Sequence, residues 1–283
     1  MSETNMIVFG HSPDADDAFM FFGLAKGIVG IDGYEIGHHM VDIQSLNVLA
    51  ETGELPVTAI SAAHYPKIAD KYRIMSCGAS VGRNYGPVVV TTRDDLDVDG
   101  LEGCTIAVPG EFTTSWMLFQ IFGPDDFTPL FLDFDDVEDA VKSDRADAGI
   151  LLHEGQILFE QRGFRSLLDL GKRWFDETGL PIPLGLDVVH RGLGDEMCQK
   201  VTDALKSSIE YAHANEDAAL DYALGYGRGI EREDGRRFVR MYVNSDTLDM
   251  GEEGRAALQK LFGMAVDRGI IEEVPRLDVL QSH

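Results

Sequence analysis

The sequence predicts an α/β fold of two lobes that close on a cleft, and three observations carry this. Short β-rich runs alternate with amphipathic helical stretches along all 283 residues. The strand–helix series starts twice, once near Met6 and again near Thr105. Small and polar residues follow the strands at their carboxyl ends, where ligands of open α/β sheets bind. With 44% hydrophobic residues the chain can bury a substantial core.

In chain order, residues 6–10 read as a first strand and 18–25 as the helix after it. Residues 35–41 form a second strand, followed by a helix from about Ser45. A third strand, 57–60, runs directly into the small-residue helix start Ser61-Ala62-Ala63. The β-branched run 87–92 leads to a fresh series: strand 105–108, Pro109-Gly110, then Thr113-Thr114-Ser115 opening the apolar helix 116–122. Strand 130–132, a helix near 136–142 and strand 148–152 continue it. Run 186–190 carries the chain back, and helices fill the remainder. Val201, Leu205, Ile209 and Ala212 recur every three or four residues, as do Leu258, Leu261, Phe262 and Ala265, so each helix buries one face. Asn215 suits a helix start and Gly269 a helix stop. Residues 1–91 and 191–283 are therefore expected to form the first lobe and 92–190 the second. Two crossing strands, with C-terminal helices packed back on the first lobe, give the hinged architecture of periplasmic binding proteins.

Charge excludes several classes of partner. The formal net charge of −25, from 24 basic and 49 acidic residues, opposes nucleic acid, whose phosphates need clustered Lys and Arg. It equally opposes an anionic membrane surface, and the Asp excess fits a salty habitat. No apolar stretch approaches the roughly 18 residues of a bilayer span. The apolar run 6–9 ends at once in Gly10-His11-Ser12, too short for a secretory signal, so a cytoplasmic location is expected. Cys77, Cys104 and Cys198 are widely separated without a CxxC pair, and are expected to be reduced, mostly buried thiols.

Thr113, Thr114 and Ser115 sit where a glycine-containing turn meets a helix N-terminus, so free N–H groups, hydroxyls and the dipole converge there as a carboxylate or phosphate cradle. The spacing lacks the Gly-Lys pair of a triphosphate loop, and the alternative is a plain N-cap by Thr113. Ser12-Pro13 and Ser61 make similar hydroxyl-bearing turns in the first lobe. Asp14, Asp16 and Asp17 crowd the first of them, and paired carboxylates can hold a proton; the plainer expectation is that Asp16 or Asp17 caps the helix while the others face solvent. His153 ends the apolar strand at the functional edge of the sheet and suits a general base, set against a purely structural histidine. Within His38-His39 one ring should point outward, and no histidine spacing spells a metal site. Gly225-x-Gly227-x-Gly229 follows a helix rather than a strand and reads as a turn.

Taken together and in order, these motifs resemble the 1,4-dihydroxy-6-naphthoate synthase family of the futalosine-dependent menaquinone pathway. The resemblance runs through His11-Ser12-Pro13 with Asp17 and Phe19, Ser45-Leu46-Asn47, Ser61 with Tyr65, residues 86–90, and Val108-Pro109-Gly110 with Thr113-Thr114. It continues through 149–154, 178–185, Tyr242-Val243-Asn244, Leu248-Asp249 and 251–254. It implies a type 2 periplasmic-binding-protein fold acting on cyclic dehypoxanthine futalosine without metal or organic cofactor. His153 matches the family's proposed base, while Thr113 and Thr114, with Ser61 and Asn47 opposite, would orient a carboxylated substrate. One departure stands in the first turn, where better-known members read Ser-Pro-Cys-Pro-Asn-Asp and this chain has Ser12-Pro13-Asp14-Ala15-Asp16-Asp17. The competing readings are chorismate dehydratase of the same pathway and a non-catalytic solute-binding protein; a monomer and a homodimer both fit the sequence.

Overall fold

Buried Ile7 and Phe9 alternating with the less covered Val8 make β1 (Asn5–His11) the inner strand from which the first lobe grows. The computed structural model describes residues 5–227 and 229–283. After β1 come α1 (Ala15–Met20), α2 (Phe22–Ala25), β2 (Tyr34–Met40), α3 (Ile43–Thr52), β3 (Val57–Ser61), α4 (Tyr65–Ile68), β4 (Tyr72–Met75) and β5 (Ser80–Gly82). The middle third holds β6 (Val88–Thr91), β7 (Thr105–Val108), α5 (Thr114–Phe122), β8 (Thr128–Phe131), α6 (Val137–Lys142), β9 (Ala148–Leu151), α7 (Gly155–Leu158), β10 (Arg165–Asp169) and α8 (Leu170–Thr178). Then follow β11 (Ile182–His190), α9 (Asp195–Ala214), α10 (Glu216–Leu224), α11 (Arg232–Tyr242), α12 (Ser245–Leu248), α13 (Gly251–Asp267) and β12 (Val279–Leu280).

Two sheets result. The first runs β12-β4-β11-β3-β1-β2 with β5 also paired to β11, and the second runs β10-β6-β9-β7-β8. Pairs β1–β2, β1–β3, β7–β8 and β7–β9 are parallel, as helical crossovers require. The strands that enter each sheet from the other, β6 and β11, lie antiparallel to their neighbours. Hydrogen bonding thus assigns residues 88–91 to the second sheet and 182–190 to the first, placing the crossings before these strands and not at 91/92 and 190/191.

One hydrophobic cluster joins the sheets, with Ile60 and Leu186 of the first, Val89 and Ile106 of the second, and Trp174 and Leu261 from helices packed between. A second cluster packs α1, α9, α10 and α11 on the first sheet. Helices α9 and α13 bury the residues that their three- and four-residue spacing predicts. The expected helix 18–25 is instead two short ones joined at Phe21, which has left helical geometry at φ −84° and ψ 2°. No helix among the described residues is long and apolar enough to cross a membrane.

The crossing segment is locked by backbone contact. Leu170 N–H donates to the Pro87 carbonyl at 2.9 Å, drawing the first turn of α8 onto residues 85–87. A Cβ on Gly171 would stand 2.1 Å from the Tyr85 carbonyl carbon and 2.3 Å from the Gly86 nitrogen. Gly171→Ala is therefore expected to lower stability by about 1–3 kcal/mol, read as a fall in the urea midpoint; an unchanged midpoint would mean that the two segments separate freely.

Candidate functional site

Where β1 ends, the turn Ser12–Asp14 bends under its own carboxylates. Asp14 N-caps α1, its Oδ1 accepting from Asp17 N–H at 3.2 Å, and Asp17 Oδ2 accepts from Ser12 N–H at 2.6 Å. The cap expected from Asp16 or Asp17 is thus made by Asp14, and all three carboxylates are buried, none facing solvent. Chain geometry explains it: α1 points its first turn into the space between the lobes. His11 beneath them stacks on Phe21 and pairs through Nε2 with His38 Nδ1 at 3.0 Å, while His39 is exposed.

From the second lobe, Pro109-Gly110 swings the chain into α5. Gly110 sits at φ +135°, and its missing side chain lets Gln44 approach. Thr113 is the N-cap, its Oγ1 accepting from Trp116 N–H at 3.2 Å. Thr114 Oγ1 donates to the Leu184 carbonyl at 2.7 Å and accepts from Ala63 N–H at 3.1 Å, fastening this helix start to the first lobe. Ser115 completes the turn beside Thr113, with the hydroxyls 3.0 Å apart.

His153 lies two residues beyond β9, in a turn before α7, and not at the strand's end as expected. Its φ of +49° is rare for a residue with a side chain. Its Nδ1 stands 3.2 Å from Asp14 Oδ2, across the gap between lobes, and its ring meets Phe134 edge-on. The Gln156 amide holds this turn in place: its carbonyl accepts from His153 N–H at 3.0 Å, and its NH₂ reaches the Gly86 carbonyl and the Tyr242 hydroxyl.

These groups line one hollow of about 100 Å³, smaller than the usual small-molecule site of roughly 300–1,000 Å³. Ser12, Asp17, Ser61, Thr113, Thr114, Ser115 and His153 all reach it. Asn47 does not: it is fully buried behind Ser61, donating to Ser61 Oγ at 3.0 Å and accepting from Ser61 N–H at 2.9 Å. It clips α3 to β3, so its expected place against the substrate is corrected to a structural one. Sequence reasoning missed Gln156, Asp187 and Tyr242 in the lining. Asp187 had a signal, being a lone acid within the apolar run 186–189.

Electrostatically the hollow is unusual: among the described residues its lining holds four aspartates and neither Lys nor Arg. Burial raises the pKa of these groups, and for Asp16 and Asp17 the neighbouring Asp14 charge adds to it, holding both well above the usual carboxylate range. Burial alone pushes Asp187 up to about 8. Asp14 goes the other way: burial opposes ionisation, but His153 and hydrogen bonds from its turn outweigh it. The site thus sets one carboxylate, favoured in its ionised form beside an imidazole, against neighbours whose protonated forms are favoured.

Comparison with known proteins agrees with this architecture. Residues 7–267 match the family model described as menaquinone biosynthesis. A Thermus thermophilus protein named 1,4-dihydroxy-6-naphtoate synthase is 34% identical over 267 residues, covering 94% of this chain and 96% of its own. A crystal structure of a protein from Archaeoglobus fulgidus superposes with a TM-score of 0.90 at 44% identity, covering 95% of this chain and all of that one. A Candida albicans protein described as having the generic periplasmic binding protein fold reaches a TM-score of 0.76 at 13% identity, covering 98% and 97% of the two chains. That likeness concerns fold, and with the two sheets it gives the chain a two-lobed periplasmic-binding-protein-like architecture.

Proposed function

The chain belongs to the menaquinone-biosynthesis family, and from that premise we propose that it is a lyase converting cyclic dehypoxanthine futalosine to 1,4-dihydroxy-6-naphthoate, with His153 as general base. The observation that carries the base assignment is the His153–Asp14 pair inside the interlobe hollow. Asp14 accepts the Nδ1 proton, which leaves the lone pair on Nε2, the state that a base needs. Loss of a substrate proton to Nε2 would drive carbon–carbon cleavage, and aromatisation supplies the driving force. The protein's task is then positioning and exclusion of water more than electrophilic activation, with no cofactor required.

Substrate placement follows from the same walls. The nine-residue helix α5 offers the first-turn N–H groups beyond its Thr113 cap to a carboxylate. Because the Thr114 hydroxyl already holds Leu184 and Ala63, its contribution to binding would come through the backbone. Ser12 Oγ lines the hollow beside Asp14, which it hydrogen-bonds, and its remaining hydrogen-bonding capacity can meet a polar substrate group. The small-molecule substrate, and no nucleic acid or membrane, is the partner this supports, and the cytoplasm is the compartment that supplies it.

Offering the purified protein cyclic dehypoxanthine futalosine and chorismate separately tests the assignment, with products identified by mass. The expected result is dihydroxynaphthoate from the first and no product from the second. Conversion of chorismate would make the protein a dehydratase. Recovery of both compounds unchanged would make it a binding protein.

A further inference from the structure

Asp14 and Asp16 from the first lobe and His153 from the second place one potential ligand atom each within 4.8 Å of one another. The closest two, His153 Nδ1 and Asp14 Oδ2, are 3.2 Å apart. Bonds of about 2 Å from zinc to nitrogen and oxygen put neighbouring donors of a tetrahedron roughly 3.3 Å apart. The existing pair therefore already forms one edge of such a site. Asp16 supplies an independent sign: the residue is 6% exposed and its carboxyl hydrogen-bonds that of Asp14, yet its Oδ1 is buried with no partner among the described residues, in the wall of the same hollow. A buried carboxylate oxygen without a partner is costly, and among the described residues no Lys or Arg lines the hollow to relieve it.

We propose that Asp14, Asp16 and His153 form a binding site for a divalent transition-metal ion. The mixed imidazole and carboxylate donors suit zinc, cobalt or manganese better than calcium, which takes an all-oxygen cage. An Asp16 oxygen already lies within 4.8 Å of a donor atom on each of the other two residues. A metal ion on Nδ1 displaces the ring proton to Nε2, so occupation and proton abstraction by His153 exclude each other. The ion is thus an inhibitor of turnover and not a cofactor. That last consequence rests on the reading of His153 as base; the site itself rests on the three side chains alone.

The test is calorimetric titration of the whole, EDTA-stripped protein with zinc chloride. One zinc ion per chain is expected, with affinity falling at least tenfold in Asp16→Asn and in His153→Gln and holding in His38→Gln, which removes the other close histidine pair. Absence of uptake by the wild type, or affinity that survives both site variants, overturns the proposal. Cobalt absorption of the wild type reads the ligand set without any variant. Intense visible bands support the site, and the weak bands of the hydrated ion overturn it. Should His153→Ala retain turnover, the base assignment fails while the zinc titration still decides the site.

Discussion

Replacing His153 with alanine is expected to cut turnover by about 10²- to 10⁴-fold, the usual contribution of a positioned base, while substrate affinity stays within about tenfold. The two readouts separate because His153 occupies one corner of a hollow whose other walls come from both lobes. Single-turnover rates and equilibrium binding measured on the same preparation check it; full turnover in the variant removes the base role. Asp14→Asn gives a companion result. The amide can no longer favour the Nδ1–H tautomer as a carboxylate does, so kcat should fall with little change in binding. A loss confined to KM would instead make Asp14 a substrate contact.

How legible was this in the sequence? Elements with strong periodicity were: β7 falls on the four residues expected, and α9 and α13 bury the faces that their apolar spacing marks. The elements that went unread carry weak local signals. β10 reads Arg-Ser-Leu-Leu-Asp and never becomes fully buried, and β5 and β12 have three and two residues. Such strands exist because a long neighbour recruits them, as β11 recruits β5. α8 has a buried stripe of only Leu170, Gly171 and Trp174, too narrow to stand out.

Site residues divide on the same physical line. Thr113, Ser61 and His153 stand at strand-to-helix turns, and turns at the carboxyl edge of a sheet are visible as local sequence. Gln156 and Tyr242 reach the hollow from helices 86 residues apart and meet only because the C-terminal helices fold back. Asn47 carried the right chemistry in the right neighbourhood, yet it faces Ser61. Only the pairing of α3 with β3 decides which way it turns. The Asp14–His153 contact, which joins two lobes, has no local trace at all.

Stability should decline as pH rises from about 6.5 to 8, the reverse of ordinary acid denaturation, and Asp187 is the residue on which this can be isolated. Its carboxyl is 1% exposed, beside Cys77 and Gly78 and across from Asp17, and it carries its proton up to about pH 8. In the unfolded chain it ionises at about 3.9. Between those values the folded state holds a proton that the unfolded state lacks, so stability falls with pH by about 1.4 kcal/mol per unit. Asp16 and Asp17 act in the same direction. His11 and His64, held down to about 4 by burial, oppose this only below their unfolded value near 6.5, where the unfolded chain gains protons that they refuse. Above it the acids act alone. Urea midpoints at pH 6.5 and 8 in EDTA should therefore drop for the wild type. Asp187→Asn, which cannot ionise, should recover about 2 kcal/mol of the loss across that window. Equal slopes in the two proteins would show that Asp187 is already ionised in the folded state, and that a cation of some kind must then stand beside it.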